Sequence, residues 1–204
     1  MNNIEHFFST TELTTEAKDN SPGTISGYFH KWNTLSHDRG GYRVVFRKGS
    51  FSNITDGDIK AYRDHDYNIY LGRTANTTLR LSEDDVGTPF SLDLPDTTHG
   101  RDTAALIERE DIVGMSFGYV PDKYRWKRET QGPVQEHFSG TLVEVSLVFS
   151  PAFPNTNVQK NHLYSLNEPN PEFLESLQEF LGTPNRNFAF RTLQLMKISQ
   201  HNTK

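Results

Sequence analysis

Through the first three-quarters of this chain, apolar and polar residues alternate in short runs of strand length. Thr24–Phe29, Tyr42–Phe46 and Ile59–Tyr62 read as strands, with turn-rich segments at 33–41 and 49–55. Thr77–Leu81 and Pro89–Leu94 alternate strictly, the second placing Phe90, Leu92 and Leu94 on one face. The acidic turn between them makes the pair a hairpin. Residues 101–110 read as a helix, with Ala104–Ile107 as its apolar part and Asp102 near its start. Residues 112–120 form another strand and 134–149 the strongest one, with 122–132 as a polar hairpin loop between them. The first 22 residues are polar and read as a loose lead-in, or at best an edge strand. After about residue 160 the period changes. Phe173, Leu174, Leu177, Phe180 and Leu181 recur at helical spacing between Pro171 and Gly182, and 188–199 can form a second helix.

Many short strands with few helices predict a mainly β fold with flanking helices (α+β), closed or nearly closed as a β-barrel. The expected organisation is a lead-in at 1–22, a β-barrel domain at 23–160 and a helical tail at 161–204.

Composition narrows the function. The chain has 204 residues, a net charge of −5 and no cysteine. Absence of Cys removes disulfides, thiolate nucleophiles and Cys-based zinc sites. Net negative charge argues against a general nucleic-acid surface. The N-terminus lacks the basic start and apolar run of a signal peptide, and no apolar run approaches a membrane span. No HExxH, GxGxxG or P-loop pattern occurs, so neither a catalytic metal nor a nucleotide cofactor is expected.

Three residues stand out. Ser116 lies between Gly114 and Gly118 in an apolar stretch. The letters match GxSxG, but a nucleophile elbow needs a helix to follow, and here Tyr119, Val120 and Pro121 lead into a polar loop. In a strand, the glycines would let another backbone approach closely. His65 follows a strand and sits between Asp64 and Asp66. It reads either as a general base or as a solvated loop histidine. Glu144 interrupts an apolar strand, where alternation places Leu142, Glu144 and Ser146 on one face. That face is either solvated or an active-site floor.

In order and spacing, these pieces resemble the prohead proteases of tailed bacteriophages. The resemblance runs from Gly27, Tyr28 and Phe29 through Phe46–Phe51, His65–Asp66, Leu71–Thr74, Leu79–Gly87 and Leu94–Thr97. Gly114–Tyr119, Leu142–Val148 and Pro151–Ala152 complete it. It implies a serine endopeptidase that cleaves scaffold segments of the major capsid protein, and also itself, inside the immature capsid in the host cytoplasm. It further implies an antiparallel β-barrel similar to herpesvirus assemblin. No cofactor, metal, nucleic acid or membrane is implied, and a homo-oligomer stays open. Carried onto this chain, the resemblance makes Ser116 the nucleophile and His65 its base. Glu144 is the favoured third member. His137 is the alternative, because assemblins place a second histidine there. The chain departs from the pattern at Glu108–Asp111, where the family carries Arg-Gly. A catalytically inactive capsid-assembly or scaffold protein on the same fold is the competing reading.

Overall fold

A computed structural model describes residues 4–10, 13–18, 21–39 and 41–149, together with Ser176, Glu179 and Phe180. In chain order the strands are β1 (Glu5–Thr10), β2 (Thr14–Lys18), β3 (Ser21–Lys31), β4 (Arg43–Phe46), β5 (Lys60–Arg63), β6 (Asp66–Arg73), β7 (Leu79–Leu81) and β8 (Gly87–Asp93). Helix α1 (Thr98–Glu108) and the long strands β9 (Ile112–Glu129) and β10 (Gly132–Phe149) follow. One sheet runs β1-β9-β10-β5-β6, with β4 also on β10. The other runs β2-β3-β8-β7.

The β9–β10 hairpin is the spine. Its polar half was expected to be a loop, yet the ladder continues to Glu129↔Gly132 and leaves only a two-residue turn. Alternation explains the difference: Tyr124 and Trp126 are half-buried while their neighbours face water. Trp126 packs its ring on Tyr42 at 5.5 Å and on Phe180 at 5.9 Å. The expected C-terminal helix is represented by three described residues, all helical. The tail beyond them, with the second expected helix, lies outside the described residues.

The expected closed antiparallel barrel is not what forms. The larger sheet is mixed and open: β4 and β5 both run parallel to β10, at Val134–His137 and at Glu144–Leu147. Alternation reports which face a side chain takes and is silent on the direction of its partner strand. The lead-in also contributes order. β1 pairs along β9, and β2 along β3, as edge strands of the two sheets. In α1 the N-cap is Thr97, whose hydroxyl accepts from Gly100 N at 3.2 Å. Asp102 therefore lies inside the helix, away from the cap.

The core is a cluster of aromatic rings between the sheets. Phe117 on β9 is its centre, with Phe7, Phe29, Phe46 and Phe51 within 5.3–5.6 Å of its centroid. Phe7 fixes the parity of β1, and Phe117 that of β9, so the intervening positions face the other side of the sheet. Gly140 on β10 lies over Tyr119: a Cβ there would sit 2.3 Å from the phenol ring. Gly140→Ala is therefore expected to cost roughly 1–3 kcal/mol through overpacking. Urea midpoints measure it, and an unchanged midpoint would contradict this packing.

Candidate active site

Ser116 sits mid-strand on β9, with the backbone of Phe8 opposite on one side and Ser146 on the other. Met115, Phe117 and Tyr119 point into the core, so Ser116 and Gly118 share the opposite face. Gly118 lacks a side chain for a local reason. A Cβ there would stand 3.0 Å from Glu144 Oε1 and 3.0 Å from Ile4. The glycines were expected to admit another backbone; at Gly118 the close neighbours are side chains instead, those of Glu144 and Ile4. Gly118→Ala should push that carboxylate by a few tenths of an ångström and slow turnover by roughly tenfold, less than the roughly 100-fold of a full ångström. Cleavage rates compared at equal folded fraction test this.

Glu144 reaches the site through an irregularity in β10. Leu142 pairs with Tyr119 and Glu144 with Gly118, which leaves Val143 as the extra residue of a bulge. Regular alternation would have put Leu142 on the face of Glu144. The bulge instead sends Leu142, Val145 and Leu147 into the core and leaves Glu144 and Ser146 beside Ser116.

His65 is presented by the tight turn between β5 and β6. Asp64 and His65 both have positive φ, 53° and 57°, the backbone of a type I′ turn made without glycine. Such non-glycine conformations cost about 1–3 kcal/mol each and persist only where surroundings impose them. Here Asp64 N donates to Leu147 O at 3.0 Å and His65 N to Ser146 Oγ at 3.3 Å, both anchors on β10.

His65 Nε2 lies 2.8 Å from Ser116 Oγ, and His65 Nδ1 lies 2.7 Å from Glu144 Oε1. Ser146 Oγ donates to Glu144 Oε2 at 2.8 Å. Burial alone would raise the pKa of Glu144. The imidazoles of His6 and His65 and the Ser146 hydroxyl outweigh it and hold the carboxyl at about 2. An ionised carboxylate can only accept, so His65 Nδ1 carries the proton. Nε2 is then the lone-pair nitrogen facing the serine hydroxyl. Ser116 and Glu144 are buried, whereas 12% of the His65 side chain is exposed.

His137, the alternative third member, is elsewhere. Its Nε2 is bonded to Gln135 Oε1 at 2.9 Å, its Nδ1 has no hydrogen bond, and its ring stacks on Phe46 at 4.9 Å. Asp64 is exposed, and Asp66 Oδ1 accepts from Asn68 N within its own turn. The segment 150–152, a candidate for oxyanion donors from its place after β10, lies outside the described residues.

One neighbour was missed in the sequence. His6 of β1 sits opposite Gly118, its ring edge-on to His65 at 4.2 Å, with Nδ1 3.5 Å from Glu144 Oε1. The available signal was Phe7, the apolar residue whose burial fixes which way His6 faces.

The family model described as caudovirus prohead serine protease matches residues 10–168. The chain belongs to that family. The family is one of serine proteases of phage capsid maturation. The solved structure of the bacteriophage T4 capsid assembly protease is similar at 12% identity and a TM-score of 0.47, covering 73% of this chain and 97% of that one. No curated protein matches the chain. The prohead protease match includes His65, Ser116, His137 and Glu144 and begins after His6.

Proposed function

We propose that this prohead protease is an active serine endopeptidase, with Ser116 as nucleophile, His65 as general base and Glu144 as the carboxylate that orients His65. The observation that carries this reading is the unbroken chain of contacts from Ser116 Oγ through both imidazole nitrogens to Glu144, at 2.8 and 2.7 Å. Ser116 Oγ attacks the scissile carbonyl while Nε2 takes its proton. The imidazolium so formed lies against an ionised, buried carboxylate. Nε2 then returns the proton to the leaving amine, and water repeats the sequence on the acyl-enzyme. Backbone N–H groups facing the oxyanion would add roughly 3–4 kcal/mol per donor.

The substrate is the scaffold segment of the phage's own major capsid protein, cut inside the immature shell. Co-expression with that capsid protein tests this, with its size read on a gel. Wild type should shorten it and Ser116→Ala should not. Assembled shells with full-length capsid protein from both would favour the inactive, structural reading.

The active enzyme keeps its first 22 residues. β1 and β2 belong to the two sheets, and β1 borders the nucleophile strand, so losing residues 1–22 would strip both. Intact-mass measurement over days should show any trimming confined to residues beyond 149. An active enzyme that has lost its first 22 residues would refute this.

A further inference from the structure

His6 Nδ1 is buried and makes no hydrogen bond. It faces Glu144 Oε1 from 3.5 Å, too far for a good hydrogen bond. The same oxygen is 2.7 Å from His65 Nδ1, and ligand atoms of all three residues lie within 4.8 Å of one another. Two imidazole nitrogens and a carboxylate oxygen are the donor set of many tetrahedral zinc sites. With bonds of about 2.0–2.1 Å, tetrahedral ligands stand roughly 3.3–3.4 Å apart. The His6–Glu144 separation already fits. The His65–Glu144 pair would open by about 0.6 Å on the same geometry once the proton between them is gone. Both imidazole side chains are partly exposed, His6 by 18% and His65 by 12%, so an ion can approach the cluster from the ring side. Hard cations such as Mg²⁺ and Ca²⁺ prefer all-oxygen sites and would bind poorly here.

We propose that His6, His65 and Glu144 form an inhibitory site for a Zn²⁺-class divalent cation, a proposal that rests on the triad reading above. Binding acts through the tautomer of His65. A metal on Nδ1 uses the lone pair of that nitrogen, so the single proton of the neutral ring moves to Nε2. Nε2 then donates to Ser116 Oγ where the active form accepts from it. The serine has no base, and no bond of the substrate changes. Removing the ion returns the proton to Nδ1 and restores the base. The inhibition is therefore reversible by chelation.

Calorimetric titration of ZnCl₂ into Ser116→Ala separates metal binding from catalysis. A site that depends on His6 is expected. Binding should weaken by at least about tenfold when His6→Ala or His6→Gln is added, in proteins whose melting shows them folded. Mg²⁺ should give no heat. Co²⁺ should give the visible absorption of a tetrahedral centre, lost in the His6 variants. In parallel, capsid-protein cleavage by wild type is measured with Zn²⁺ and again after EDTA, each protein scaled to its own metal-free rate. Inhibition that EDTA reverses, weaker in His6→Gln, supports the site. Zinc binding to Ser116→Ala with no cleavage by metal-free wild type would keep the site and sink the protease reading. Cleavage with no zinc binding, or binding unaffected by the His6 changes, would overturn the site and leave the protease reading standing.

Discussion

Ser116→Ala and His65→Ala are each expected to lower kcat by about 10⁶, and the double variant by no more than either single. Glu144→Gln is expected to lower it by about 10⁴. The ordering follows from what each group does. In the proposed mechanism Ser116 and His65, linked at 2.8 Å, form and break bonds as one unit, so losing either forfeits the whole nucleophilic route. Glu144 forms no bond to substrate. Its negative charge stabilises the imidazolium, and its Oε1 fixes the proton on Nδ1. A glutamine keeps the shape and removes the charge. Its amide can donate to Nδ1, which would place the imidazole proton on Nε2, facing the serine. KM should change little, because the carboxylate is buried and its contact is with His65. Single-turnover cleavage of purified capsid protein measures all four enzymes. His137→Gln serves as the comparison: its ring nitrogens reach neither Ser116 nor His65, so a loss near 10⁴ there would return the third position to His137.

How much of this was legible in the sequence depended on range. Local signals were strong. Phe90, Leu92 and Leu94 announced β8, the acidic turn before it announced the hairpin with β7, and the apolar run from Leu142 announced the last strand. Ser116, His65 and Glu144 were visible as oddities in their local sequence. What alternation hides is whatever depends on a partner far along the chain. β4 and β5 run parallel to β10 because of where intervening loops carry them, and nothing within Arg43–Phe46 or Lys60–Arg63 encodes that direction. The bulge at Val143 is hidden for a related reason. A strand with Leu, Val, Glu, Val and Ser in succession reads as regular alternation. Only pairing against Tyr119 and Gly118 makes one residue surplus. His6 was hidden because Phe7 and Phe8 are adjacent, so their letters alone do not say which of the two faces the core.

Acidification should destabilise this protein well above the pH at which its carboxylates protonate. Two histidines are buried in the neutral form. His30 is packed among Trp32, Phe46, Phe51 and Phe117, and burial lowers its pKa from 6.5 to about 4. His137 lies among Phe46, Tyr119 and Tyr124, and burial, with the Arg39 charge, lowers it to about 3. Between pH 6.5 and these values the unfolded chain binds protons that the folded chain refuses, so stability falls as pH falls. Glu144 works in a lower window, from 4.5 down to about 2, where its carboxylate protonates and loses the hydrogen bonds it accepts. From pH 7 to pH 5 the two histidines together should remove roughly 4 kcal/mol, a large share of the 5–15 kcal/mol typical of a domain. Urea unfolding at pH 7, 6 and 5 measures the slope. His137→Phe, which keeps a ring against Phe46, should halve it, even if the lost Gln135 contact lowers stability at pH 7. A stability that stays level down to pH 5 would mean that both imidazoles can take up protons where they stand. His30 and His137 would then sit in a wetter interior than these aromatic contacts describe.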